Sequence, residues 1–103
     1  MKLLTKEIEA KLPKLYSQEE NPDPTVIVKF FDPSGSWTWY ATEGSRHHSG
    51  DFLFFGLVDG HKKELGYFSP HELESFKGRF GLGIERDVHF DPQPLSTFRK
   101  GGR

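Results

Sequence analysis

The chain contains no cysteine and no long apolar run, and these absences exclude several classes of protein and of functional site. Without thiols there is no disulfide, no thiolate nucleophile and no thiolate zinc site. No stretch is long enough to cross a bilayer, and the first residues lack the apolar run of a signal peptide. The net charge of −1 gives no global field that favours nucleic acid or anionic lipid. We therefore expect a cytoplasmic protein without membrane contact.

Aromatic residues supply the core material that is otherwise scarce. They make up 15% of the 103 residues, and ten of them are Phe. Each ring buries a large apolar area, so Phe, Trp and Leu together suffice for the core of one small domain. We predict a single domain over residues 1–95, followed by a short basic C-terminal tail over residues 96–103.

Two short helices are predicted from capping residues. Thr5 is suited to cap a first helix, whose apolar stripe consists of Leu4, Ile8 and Leu12. Ser69 opens a capping box for a second helix, and Gly78 is expected to end it.

Between these helices the sequence predicts four consecutive strands in an antiparallel meander, over residues 26–31, 36–43, 51–58 and 63–68. Asp59 and Gly60 predict a type I′ hairpin turn between the last two strands. A fifth strand is expected within residues 84–90, with Ile84, Val88 and Phe90 facing inward. The fold class is α+β: a four- to five-stranded antiparallel meander sheet with short N-terminal and post-sheet helices packed on one face.

The second predicted strand concentrates both tryptophans. Strict alternation places Trp37 and Trp39, with Ala41 and Glu43, on one face and Tyr40 among hydroxyls on the other. We expect the helices to seal the tryptophan face, although a stacking platform for bases or sugars is the alternative. The opposite face and the exit of the strand then provide a candidate interaction surface, composed of Thr38, Tyr40, Thr42, Glu43 and Tyr67.

Candidate catalytic and metal-binding residues form no recognisable motif. His47 and His48 are adjacent in a loop predicted over residues 44–50, so their rings are expected to diverge, and no helical ligand spacing is present. No metal site, catalytic residue or cofactor is predicted. An acid pair remains as an enzyme hypothesis, since Glu43 and Glu64 flank the aromatic strands. That hypothesis requires Glu43 to converge with a second acid or with His61 in a concave pocket.

A glycine-rich stretch over residues 77–84 matches neither of two nucleotide-related motifs. It lacks the third glycine of a dinucleotide-binding loop and departs from the aromatic RNA-binding octamer. Lys77, Arg79 and Arg86 nevertheless form a candidate basic patch. Nucleic-acid binding through this patch is the least favoured alternative.

Several blocks of the sequence are similar to one known family. They are MKLLTK (1–6), VKFF (28–31), WTWYATE (37–43), FFGLV (54–58), ELGYFS (64–69), ELE (72–74) and IERD (84–87). With these blocks the chain resembles a family of small bacterial proteins known as domain of unknown function 2958, over nearly its whole length up to about Leu95. The segment Arg46–His48 departs from the family pattern.

The resemblance implies a complete single-domain protein carried by plasmids, phages and other mobile elements, and it transfers no activity and no site residue. We therefore favour a small non-enzymatic binding or accessory protein that contacts a host or mobile-element protein, and that is itself a monomer or a weak homodimer. The enzyme or nucleic-acid processing accessory stays open as the alternative.

Overall fold

The computed structural model describes residues 1–99, apart from the side chain of Arg79, and contains a five-stranded antiparallel sheet. The strands are β1 (Thr25–Val26), β2 (Val28–Phe31), β3 (Thr38–Arg46), β4 (Phe52–Asp59), β5 (Lys63–Phe68), β6 (Glu85–Arg86) and β7 (Gln93–Pro94). In the main sheet they follow the order β5-β4-β3-β2-β6, while β1 pairs with β7 in a separate ladder. The predicted α+β class and the four-strand meander are confirmed, and β6 adds the fifth strand beside β2.

The helices are α1 (Lys6–Lys11), α2 (Pro70–Ser75) and α3 (Ser96–Arg99), with a 3-10 turn at Arg79–Gly81. Both predicted caps are present, since the Thr5 hydroxyl accepts the backbone N–H of Ile8 at 3.2 Å and the Ser69 hydroxyl accepts that of Glu72 at 3.1 Å. Helix α2 ends before Gly78, whose missing side chain instead lets the chain pass close to Ser34. Within residues 1–99, no helix is long and apolar enough to cross a membrane.

One face of the sheet carries the main core. Phe30, Trp39 and Phe54 lie on this face, and the Phe30 and Phe54 ring centroids are 5.3 Å apart. Leu12 at the end of α1 and Leu73 of α2 are buried against them. The short helices thus seal the side of the sheet that bears Trp39, as the sequence predicted.

The opposite face is covered in part by residues 87–99, which we name the C-terminal strap. Phe98 stacks on Tyr40 of β3, with ring centroids 4.3 Å apart, and Leu95 is buried beside them. The strap is tied to the chain before β1, because the Asp23 carboxylate accepts both the backbone N–H and the hydroxyl of Ser96 at 2.8 Å. Residues 96–99 therefore pack on the sheet, while residues 100–103 of the predicted tail lie outside the described residues.

Several element boundaries differ from the prediction. The first strand is interrupted at Ile27, and β3 continues through residues 44–46, which were expected to be loop. The fifth strand is only two residues long, and Val88 is 59% exposed instead of facing inward.

The turn between β4 and β5 is not the predicted type I′ turn. Asp59 pairs with Lys63, so three residues form the loop, and Gly60 does not adopt a left-handed φ. Gly60 is required for a different reason: a Cβ there would overlap the Trp37 ring. Packing of the tryptophan, rather than turn geometry, explains this glycine.

Candidate functional site

A β-bulge in β3 determines where the candidate acid lies. Ala41 pairs with Gly56 and Glu43 pairs with Phe55, so Thr42 is an extra residue in the ladder. The extra residue reverses the alternation of faces, and Glu43 lies on the same face as Phe55 and not on that of Trp39. The prediction that Glu43 continues the tryptophan face is therefore wrong.

The Glu43 carboxylate anchors the loop that follows α1. Glu43 is only 5% exposed; its Oε1 accepts the backbone N–H of Tyr16 at 2.9 Å and its Oε2 accepts that of Gln18 at 2.8 Å. Hydrogen bonds to an ionised acceptor are stronger than neutral ones. They hold Tyr16 at a φ of 71°, a left-handed conformation that a tyrosine adopts only at an energetic cost.

This loop and the uncovered part of the sheet form a groove. We name it the tyrosine groove and define it by Tyr16, Phe55, Leu65 and Tyr67, with Glu43 in its wall. Its volume is about 390 Å³. The Tyr67 ring centroid lies 4.9 Å from that of Phe55 and 6.5 Å from that of Tyr16. Aromatic and aliphatic side chains are thus gathered beside the edge of the sheet instead of being covered by the strap.

The charges around the groove favour a cationic ligand group. The pKa of Tyr67 is raised above its usual value, first by a side-chain hydrogen bond with Tyr16, then by partial burial, by the electrostatic influence of Tyr16 and by the carboxylates of Glu43 and Glu19. Arg99 also lines the groove and adds a positive charge at its boundary. The carboxylates beside the rings make the ring faces suitable for a cationic group.

The five residues of the predicted interaction surface are not equally available. Tyr40 lies beneath Phe98, and Thr42 is buried with its hydroxyl donating to the carbonyl oxygen of Phe55 at 3.2 Å. Glu43 is buried as described above, and Thr38 is half-buried at the start of β3. Tyr67 is the one of the five that is largely exposed. The five residues therefore do not form one continuous exposed surface.

Sequence reasoning missed Tyr16, Phe55 and Leu65. Leu65 and Tyr67 are two residues apart on a strand that was predicted correctly, so they lie on the same face of it. Their partners in β4 could not be predicted, because the predicted two-residue turn at Asp59 and Gly60 gives a different register from the observed three-residue loop. For Tyr16 the sequence offers no comparable signal, since its position depends on the distant Glu43 carboxylate.

The acid pair of the enzyme hypothesis is not assembled. Glu64 pairs with Val58, which in turn pairs with Trp39, so Glu64 lies on the tryptophan face. It lines a separate cavity together with His61, whose ring lies 5.4 Å from that of Trp37. Glu43 is on the other side of the sheet. It shares the tyrosine groove with Glu19, but both of its oxygens accept backbone N–H groups.

The residues of the candidate basic patch are separated. The Arg86 guanidinium donates to the carbonyl oxygens of Lys2 and Leu3, the latter at 3.2 Å. Lys77 lines a cavity together with Glu74 and Glu85, and Arg86 lines another one. The side chain of Arg79 lies outside the described residues. Arg86 therefore fixes the N-terminal segment, and it does not extend a basic surface that includes Lys77.

The histidine pair adopts a compact arrangement. The rings of His47 and His48 lie 4.0 Å apart, so the expectation that they diverge is wrong. The Nδ1 atom of His47 is 2.9 Å from the Ser49 hydroxyl. In the part of the chain that the structure describes, no group of three His, Asp or Glu side chains is placed to hold a metal ion.

Comparisons with known proteins identify a family but no characterised relative. The family model described as "Protein of unknown function (DUF2958)" matches residues 3–103, which is essentially the whole chain. No curated protein and no solved structure matches.

Proposed function

We propose that this chain, which belongs to the DUF2958 family of proteins of unknown function, is a small non-enzymatic module that binds another protein through the tyrosine groove. The observation that carries the proposal is the exposure of large side chains in one place: Tyr16 is 59%, Tyr67 49% and Leu65 44% exposed. Exposed apolar side chains that are contiguous, with a polar boundary, are typical of interaction sites. Tyrosine in particular is enriched among residues that dominate binding energy.

The groove is also held in place before a partner arrives. The Glu43 carboxylate fixes the backbone of Tyr16 from the protein side, and Phe55 packs against Tyr67 within the sheet. A preordered surface loses less conformational entropy on binding than a mobile one. The functional role of Glu43 in this proposal is therefore to position Tyr16, and no catalytic role is assigned to it.

The biological setting is proposed from the family resemblance. Because members of the family look like passengers of plasmids, phages and other mobile elements, we propose that the partner is a bacterial host protein or another product of the mobile element. The encounter would take place in the cytoplasm. The negative charges of Glu43 and Glu19 near the rings support a partner surface that offers a cationic side chain.

Site-specific photo-crosslinking in cells that express the protein tests this proposal. A benzoylphenylalanine at position 67 lies in the groove, and the same group at position 88 lies on an exposed residue away from it. We expect position 67 to yield an adduct with one other protein. The substitution Tyr16→Ser should reduce that adduct several-fold, since it removes one wall of the groove while both backbone N–H bonds remain.

Equal adducts from positions 67 and 88, or no adduct from position 67, would contradict the proposal. Circular dichroism of each variant shows whether the fold is intact. An adduct between two copies of the chain is recognised by its mass and is counted separately.

A further inference from the structure

The two edges of the main sheet differ in how far they are covered by other parts of the chain. At one edge, β6 is two residues long, and the backbone N–H of Arg86 donates to the Met1 sulfur at 3.0 Å. The N-terminal segment thus covers this edge. At the other edge, β5 is six residues long and, within the described part of the chain, pairs with β4 on one side and with no strand on the other. Natural sheets rarely leave an edge of this length without protection.

We propose that β5 pairs with β5 of a second copy of this chain, in antiparallel orientation, so that the two sheets become continuous. In this arrangement the two-fold axis is perpendicular to the sheet. Each face of one copy then continues into the same face of the other, and only residues on the same face can lie opposite each other. This restricts the register to steps of two residues.

One of these registers fits the side chains of β5. It places Leu65 opposite Leu65 of the second copy, Lys63 opposite Tyr67, and Glu64 opposite Gly66. Leucine then meets leucine at the axis, and no like charges face each other.

The neighbouring registers fit less well. A shift in one direction places Glu64 directly opposite Glu64 of the second copy, which is repulsive. A shift in the other direction places Glu64 opposite Phe68, which is buried on the core side. The favoured register is therefore selected by the position of Glu64 in the strand.

The local geometry leaves room for this pairing. A Cβ placed on Gly66 would have no neighbour within 4 Å, so the space above this glycine can take the Glu64 stem of the second copy. The Lys63 ammonium already donates to the Phe98 carbonyl oxygen at 2.9 Å. The methylene stem of Lys63, rather than its charge, would then cover the Tyr67 ring of the second copy.

The expected association is weak. A strand of six residues is about 20 Å long, and contacts confined to such an edge bury less surface than a standard stable interface. The association should therefore be reversible and depend on concentration. It does not rest on the proposed function, because the backbone edge of β5 carries it. Its side-chain contacts include Leu65 and Tyr67 of the tyrosine groove, so a second copy and a different protein would compete for that part of the groove.

The absence of native cysteine allows a direct test. In the favoured register the two copies of residue 65 face each other at about 4.5–5.5 Å between Cα atoms, which a disulfide can bridge. Residue 64 is the matched control: it is exposed, it adjoins residue 65, and its two copies would be separated by about 8 Å, too far for a disulfide. Under mild oxidation at high protein concentration, we expect Leu65→Cys to form a covalent dimer at least ten times faster than Glu64→Cys.

Equal rates for the two variants indicate random collision and would overturn the proposal, as would faster linkage at position 64. The unmodified chain provides the second measurement. Sedimentation equilibrium should show a monomer–dimer equilibrium as the concentration rises towards 1 mM, a range chosen for a weak contact of about this size. A chain that remains monomeric over the whole range also overturns the proposal. Neither result affects photo-crosslinking to a different protein, so the two proposals fail separately.

Discussion

Replacement of Glu43 by Gln tests whether this carboxylate anchors the loop after α1. The native side chain accepts one backbone N–H at each oxygen, from Tyr16 and from Gln18. The amide of Gln is nearly isosteric but offers only one oxygen and places an NH₂ donor where the second acceptor was. One of the two backbone N–H groups therefore loses its acceptor in a site that is almost fully buried.

The size of the effect follows from the cost of losing one hydrogen bond and from the backbone strain that its loss releases. A hydrogen bond to a charged group contributes about 1.5–3 kcal/mol, and an unpaired buried donor costs about 1–3 kcal/mol. If the loop opens, Tyr16 leaves its left-handed φ and about 1–2 kcal/mol of strain is released. We therefore expect Glu43→Gln to lower the free energy of unfolding by about 2 kcal/mol. For a domain of this size that loss corresponds to a fall of about 10 °C in Tm.

Urea denaturation gives the free energy of unfolding, and hydrogen exchange of the Tyr16 and Gln18 amides reports on the loop itself. Glu19→Gln is the control, because Glu19 is an exposed acid in the same groove and its replacement should change stability by less than about 0.5 kcal/mol. If Glu43→Gln is as stable as the native chain and both amides keep their protection, the carboxylate is not the anchor and the reasoning fails.

Four further substitutions test separate parts of the fold. Gly56→Ala should lower the free energy of unfolding, measured by urea denaturation, by more than about 2 kcal/mol, because its Cβ would overlap a carbonyl oxygen of β3. Gly66 has open space around it, so Gly66→Ala is the control and should change the free energy of unfolding by less than about 1 kcal/mol. Phe98→Ala removes the ring that covers the second face and should lower the free energy of unfolding by about 2–3 kcal/mol, measured in the same way; no loss would mean that the strap does not stabilise the sheet. Tyr16→Phe removes the hydroxyl to which the raised pKa of Tyr67 is first attributed. The pKa of Tyr67, followed by NMR of the labelled ring, should then fall towards that of free tyrosine, and an unchanged pKa would exclude the Tyr16 hydroxyl as the cause.

Local sequence signals were sufficient for the framework of the fold. Thr5 and Ser69 mark helix starts because capping depends on residues within one turn. The strands of the meander follow from alternation and aromatic content, which are also local. Family membership could likewise be recognised from short blocks of sequence.

The site was harder to predict because it depends on one extra residue. The bulge at Thr42 reverses the face of everything after it in β3, and the sequence around it continues the same apparent alternation. The Glu43 carboxylate then reaches the loop at Tyr16, 27 residues earlier in the chain. A single sequence indicates neither the bulge nor this hydrogen bond, because both depend on packing between distant segments.

The bonds that secure the two ends of the chain also bear on the order in which the protein folds. Asp23 reaches Ser96 across 73 residues, and Arg86 reaches Leu3 across 83, whereas the meander strands pair with their sequence neighbours. Short loops close at a smaller entropic cost, so the hairpins of the meander should form first and the ends should join last. In native-state hydrogen exchange, the amide of Leu95 should then open more readily than the central amides of β4. We therefore expect the hairpins of the sheet to form before the terminal segments pack against it.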